Sequence, residues 1–217
     1  MCHNGIVYAR KVKGRELTFQ VSGKLWLQSL VMRDLETGTL WSHILGEAME
    51  GPLKGTKLEV IPSVMTDWKS WKARHPDTTV TTLRRSANRF VRSIYTRHAS
   101  RFVLGLSIGE AARAWPLNRL RKQSLVHDTF GKIPLVVFFD VSTGTARAFD
   151  RRVAGKTLSF TREGEHLIDD QTKTKWDRLT GKGLHGPLAG KQLQSLPAII
   201  SFKDPWKNFH PESTYYR

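Results

Sequence analysis

Apolar residues along this chain come in short runs cut by glycines, the spacing of strands and tight turns. Residues 102–108 and 111–115 flank Gly109-Glu110 and read as a hairpin. Pro116 then opens a short basic helix over 116–122, with proline at its favoured first position. Runs at 124–129, 133–140, 145–151 and 157–162 follow, separated by Gly131-Lys132, Ser142-Thr143-Gly144 and Ala154-Gly155. Glycines spaced in this way predict an antiparallel meander. Residues 6–12, a turn at Gly14 and residues 16–21 repeat the last part of that series.

The repetition is literal in places. Residues 50–59 read EGPLKGTKLE and residues 185–194 read HGPLAGKQLQ. A shift of 135 pairs Gly51 with Gly186, Trp41 with Trp176, Trp71 with Trp206, and His75-Pro76 with His210-Pro211. Further upstream the shift becomes 141, pairing Gly14 with Gly155, Leu17 with Leu158 and Phe19 with Phe160. The first copy therefore carries six extra residues around 24–32, an insertion expected in a surface loop. It has no counterpart of the stretch from about Phe102 through Leu135, so the first copy is expected to be incomplete at its start and stabilised by an upstream extension.

The predicted fold is mainly β with short helices (α+β), built as two homologous antiparallel β-meander repeats. The first covers 1–80, the second 102–217, and 81–101 is a linker. Each copy closes on a helical turn: Asp204 caps Pro205-Trp206, and Thr66-Asp67-Trp68 is its counterpart. Trp41, Trp68, Trp71, Trp176 and Trp206 are expected to anchor the cores, since large aromatics supply much of the buried area in units of this size.

Length and composition add that 217 residues suffice for a real core, and that no apolar run approaches a bilayer span. The chain as given opens on Met1-Cys2-His3-Asn4-Gly5, without the basic segment and apolar stretch that direct export, so it is expected either to stay inside the cell or to have its true start upstream; Cys2 is the only cysteine, so no internal disulfide is expected. The net charge of +16 points to an acidic partner. Six arginines and no carboxylate lie between Thr81 and Arg101.

Leu17-Thr-Phe-Gln-Val-Ser-Gly23, Ser29 to Asp34, Leu40-Trp-Ser42, Gly51-Pro-Leu53, Trp71-Lys-Ala-Arg-His-Pro76, Arg113-Ala-Trp-Pro-Leu117 and Val126-His-Asp128 together resemble the prokaryotic family catalogued as domain of unknown function 3179. The resemblance spans nearly the whole chain. It implies an exported protein whose biochemical activity is not settled. It also implies a C-x-x-C pair of which Cys2 matches the second member, and a glutamine where this chain has His43.

Cys2, His3, His43 and His75 are donor types that suit copper or zinc. Their spacing is irregular, and the other reading makes Cys2 a solitary thiol, His3 a loop residue and His43 a surface side chain. Recurrence of His-Pro in both copies favours an architectural role for His75 and His210 at helix ends. Ala154-Gly155-Lys156-Thr157 imitates a phosphate loop but has Asp150 where glycine is required, and its counterpart Lys13-Gly14 marks a hairpin turn. Asp34, Glu36, Asp169 and Asp170 sit beside turns, where carboxylates are ordinarily solvated or bonded to nearby backbone. Arg84, Arg85, Arg89 and Arg92 form the candidate polyanion site, with Arg85, Arg89 and Arg92 on one helical stripe; the alternative is a basic linker paired with the chain's own acids. No nucleophile elbow, zinc-protease helix or nucleic-acid-reading motif is present. The leading expectation is a non-enzymatic binding or scaffold domain, with metal binding and polyanion binding as the alternatives.

Overall fold

The computed structural model describes residues 3–80 and 94–217. Strands dominate, and among the described residues all pairings are antiparallel except that of residues 113–114 with 214–215. Among the described residues four short α-helices punctuate them, α1 Trp68–Arg74, α2 Ile94–Arg97, α3 Leu117–Lys122 and α4 Lys203–Phe209, with a single 3-10 turn at Ala99–Arg101. No helix among these residues is long and apolar enough to cross a membrane.

The duplication is visible as two four-stranded meanders of the same order. The first comprises Phe19–Trp26, Ser29–Asp34, Leu40–Ser42 and Ala48–Glu50. The second comprises Phe160–Glu163, His166–Asp169, Lys175–Asp177 and Gly183–His185. A two-residue-strand hairpin precedes each, Lys11–Val12 with Arg15–Glu16 and Arg152–Val153 with Lys156–Thr157. Ala154-Gly155 is the turn of the second, so the phosphate-loop look-alike is a hairpin. Matching positions fill the cores: Leu17 and Leu158, Trp41 and Trp176, Leu58 and Leu193 are all buried.

Phe102–Ile108 and Ala111–Pro116 form the expected hairpin. They sit in a sheet with Ile199–Phe202 and Thr214–Tyr215. Leu125–Phe130, Ile133–Asp140 and Thr145–Asp150 form a three-stranded sheet. Gly105 interrupts the apolar run 102–106 for a packing reason: a Cβ there would lie 2.3 Å from the Trp206 indole of α4.

Three expectations change. The run 6–12 is not one strand, because Val7–Tyr8 pairs with Val60–Ile61 while Lys11–Val12 turns to its own hairpin. Helix α4 starts at Lys203, after Phe202, without a side-chain cap, so Pro205 sits within its first turn, where a missing N–H costs nothing. Trp68 is exposed, with the Lys72 ammonium 5.7 Å from its ring, and Trp71 is only half-buried, whereas Trp115 is fully buried.

The described residues form two compact units that cross the repeat boundary. One combines the chain up to Ser63 with Phe102–Pro116 and Leu196–Arg217, and so contains the first meander and α4. The other combines Val64–Arg101 with Leu117–Ser195, and so contains the second meander and α1. Each meander is thus closed by the helix of the other copy. Within the first unit the Trp26 and Phe209 rings meet edge-on at 4.9 Å. Within the second, Arg74 of α1 pairs with Asp177 at 2.8 Å. Phe209 and Arg74 are equivalent positions under the 135-residue shift.

Candidate functional site

Both meanders are built on one polar knot. The Asp34 carboxylate accepts from the Trp41 indole Nε1 at 2.8 Å and from the Thr37 backbone N–H and hydroxyl. Asp169 does the same for Trp176, at 2.9 Å, and Thr172. Both aspartates are fully buried rather than solvated. Burial alone would raise their pKa; hydrogen bonds from the tryptophan, the threonine hydroxyl and the backbone outweigh it and hold both carboxyls below the usual range. The hydroxyl of Thr39, or of Thr174, then receives the backbone N–H of Leu53, or of Leu188. The recurring Gly-Pro-Leu passes over that threonine: a Cβ on Gly51 or Gly186 would meet its Cα at 2.9 or 2.8 Å, and φ is +108° and +110°. This knot is satisfied and structural. It fixes the rest of the sheet for chemistry on the opposite face.

That opposite face differs between copies. Across the central strands Val31 faces Ser42 and Arg33 faces Leu40 in the first meander. The equivalents in the second are His166 facing Asp177 and Ile168 facing Lys175. Leu45 is likewise replaced by Thr180. The same fold therefore carries Val31, Leu40 and Leu45 beside Arg33 in one copy, and His166, Asp177 and Lys175 beside Ile168 in the other.

On the first meander this face forms an open groove of about 550 Å³. Leu25, Trp26, Val31, Leu40, Leu45 and Met49 supply the apolar walls, and Lys24, Glu47, Glu50 and Lys54 the polar ones. Pockets of this size, mostly apolar with a few polar groups, are the usual form of a binding site. The inserted residues lengthen Phe19–Trp26 into the tip of the hairpin, leaving Val21 and Leu25 about 70% exposed, at 69% and 70%. Trp26 and Leu27 are exposed beside them. Phe19–Trp26 is also an edge strand of its four-stranded sheet.

On the second meander the face is ionic. The Arg178 Nη2 donates to Asp140 at 2.7 Å and also to Glu165. Asp177 accepts from Arg74 Nε and, through its other oxygen, from the Leu179 and Thr180 N–H groups. Burial would raise both aspartates, but hydrogen bonds from Ser142 and the charge of Arg178 lower Asp140, and hydrogen bonds from Thr180 and Arg74 lower Asp177. Arg147 is buried and donates to Ser195 Oγ at 2.6 Å; desolvation lowers its pKa to about 10 against the pull of Asp177. Burial likewise lowers His166, with help from Lys175.

The residues singled out in sequence are dispersed. Cys2 lies outside the described residues, as do Arg84, Arg85, Arg89 and Arg92. His3 packs edge-on against the Phe202 ring at 5.5 Å. His43 is half-buried with Nδ1 enclosed, burial lowers its pKa, and its carbonyl accepts from the Tyr8 hydroxyl at 2.7 Å. His75 and His210 cap α1 and α4 through their backbone N–H groups, and their rings lie 4.1 and 4.3 Å from those of Trp71 and Trp206. Among the described residues no three His, Cys, Asp or Glu side chains gather as metal ligands. His127 holds a place in the frame, its Nε2 accepting the Phe160 N–H at 2.8 Å. Sequence reasoning passed over the groove because its apolar residues read as ordinary strand core; only comparison of the two copies, position by position, sets Val31, Leu40 and Leu45 against His166, Lys175 and Thr180.

The family model described as Protein of unknown function (DUF3179) matches twice, over residues 1–100 and 93–215. No curated protein and no solved structure matches the chain.

Proposed function

Since both halves of this chain belong to the DUF3179 family, whose description assigns no activity, we propose from the site itself that it is a non-enzymatic binding domain working through the groove of the first meander. The observation that carries this reading is the apolar face of Val31, Leu40 and Leu45 on a sheet whose duplicate keeps His166, Lys175 and Thr180 there. Val31 is the buried floor, Leu40 and Leu45 are half-buried beside it, and Leu25 and Trp26 stand exposed at the wall; an exposed apolar patch of this kind marks a contact surface.

The occupant is an extended segment of a partner polypeptide bearing apolar side chains. The groove is open, with Leu25 exposed at its wall, so it suits a chain laid along it better than an acyl tail that must be enclosed. The adjoining edge strand offers main-chain groups for strand addition, and side-chain pockets on alternate positions then give selectivity. Lysines at 24 and 54 and glutamates at 47 and 50 bracket the apolar floor, which selects a segment flanked by both signs of charge.

The test is selection of decapeptides by display on the intact protein, followed by titration of the selected peptide against the parent and Leu25→Asp. Support is an alternating apolar peptide that binds the parent and loses about tenfold or more on the variant, a loss of roughly 1.4 kcal/mol or more, with the melting temperature unchanged. Equal binding by parent and variant removes the groove as the site.

A further inference from the structure

The ionic face of the second meander carries a cluster of charged side chains that shares no residue with the groove. Arg178 is only 7% exposed, yet its Nη2 serves two carboxylates of opposite character. Asp140 is buried with it, at 6% exposure, and is also held by the Ser142 N–H and hydroxyl. Glu165 is 68% exposed and reaches Arg178 from the Gly164-Glu165 turn of a hairpin. A carboxylate that solvated regains its water when it leaves. The arginine cannot leave, and it cannot lose its charge.

Beside this pair lies a cavity of about 20 Å³, room for roughly a single water while Glu165 is in place. Its polar lining sets the guanidinium groups of Arg178 and Arg74 and the hydroxyls of Thr66, Thr143 and Thr145 against the carboxylates of Asp140 and Glu165, with Phe138 and Leu179 as the apolar part and the Ser70 hydroxyl already donated to Asp67. Thr143 donates to Thr145 at 2.8 Å and Thr145 to Thr66 at 2.9 Å, so Thr66 accepts at the end of the relay and keeps its own O–H to donate. Arg74 is held in place by Asp177 and by the Ser70 carbonyl. Guanidinium groups with a row of hydroxyls are the recognition chemistry of a small oxyanion, carboxylate or phosphate.

We propose that this cleft binds a small oxyanion and that Glu165 is its built-in competitor, occupying the place on Arg178 that a ligand oxygen takes. Exchange of one anion for another leaves the charge on Arg178 balanced by Asp140 and the newcomer, so no buried charge is stranded. The first copy has no such site: His43 stands where Arg178 does, and Lys24 where Glu165 does.

The experiment titrates the full chain, parent and Glu165→Gln, with acetate and with inorganic phosphate at constant ionic strength, following the Arg178 side-chain N–H signals by NMR. Glu165 is exposed, so its substitution leaves the fold intact. The expected result is that Glu165→Gln binds one of the anions about fivefold or more tighter than the parent with Arg178 signals shifting on binding, the preferred anion identifying a carboxylate or a phosphoryl ligand. Adding Thr66→Val to Glu165→Gln, which also takes the acceptor from Thr145, then weakens that binding while the protein remains folded at the temperature of the titration. Equal affinities in parent and Glu165→Gln, or Arg178 signals that do not move with either anion, overturn the proposal.

Discussion

At the scale of single residues, the two fully buried aspartates add to the acid stability of the molecule, alongside Asp140 and Asp177. Asp34 and Asp169 are held below the ordinary carboxylate range, so the native chain binds fewer protons there than the unfolded one. The stability they add is complete above the unfolded aspartate pKa of about 4 and is lost as pH falls through the lower native value. Replacing both by asparagine is expected to flatten the acid limb of stability, measured by urea unfolding from about pH 2 to 7; an unchanged limb would place the titration elsewhere. Asp169→Ala, which strands the Trp176 and Thr172 donors in the core, is expected to cost about 2–3 kcal/mol. The sequence showed these tryptophans and their spacing plainly. It hid the role of the aspartates, because an Asp beside a turn reads the same whether its carboxylate meets water or an indole N–H seven residues on.

At the scale of elements, the closing helices are matched to what they close. Helix α1 offers Arg74 to the ionic face of the second meander, and α4 offers Phe209, its equivalent, to Trp26 on the apolar hairpin of the first. Phe209→Arg would set a cation against that hairpin and is expected to cost about 3 kcal/mol or more. Arg74→Phe would leave Asp177 buried without its ion-pair partner, again at about 3 kcal/mol. Both are read by thermal unfolding, and a loss under about 1 kcal/mol in either would show that the helices are not chosen by this complementarity. Gly105→Ala belongs to the same scale: its methyl would strike the Trp206 ring, with an expected cost of about 1–3 kcal/mol. Strand positions such as 133–140 were legible because turns mark their ends. The break within 6–12 was not, since it depends on a partner strand more than fifty residues away, at Val60–Ile61.

At the scale of the whole molecule, the duplication was legible but the trade of helices was not: two equivalent helices look alike in sequence whichever meander they pack on. The groove and the cleft were equally hidden, since each depends on which side chains the sheet turns to one face. Cutting the chain at the repeat boundary should therefore fail as a dissection. A fragment of residues 1–100 lacks Phe102–Pro116 and Leu196–Arg217 from its unit, and is expected to give the poorly dispersed NMR spectrum of an unfolded chain. A fragment of residues 64–195 contains all parts of the other unit and is expected to fold. A well-dispersed spectrum from 1–100 would mean that its meander closes without α4. The trade also sets a timetable for the ribosome. Strand Val60–Ile61 is made long before Leu196 appears, and at about 5–20 residues per second the first meander waits on the order of ten seconds, its hydrophobic tip uncovered, for the helix that completes it. Synthesis thus leaves the first meander open over that interval, while the second meander, whose own helix is already made, can close as soon as it emerges.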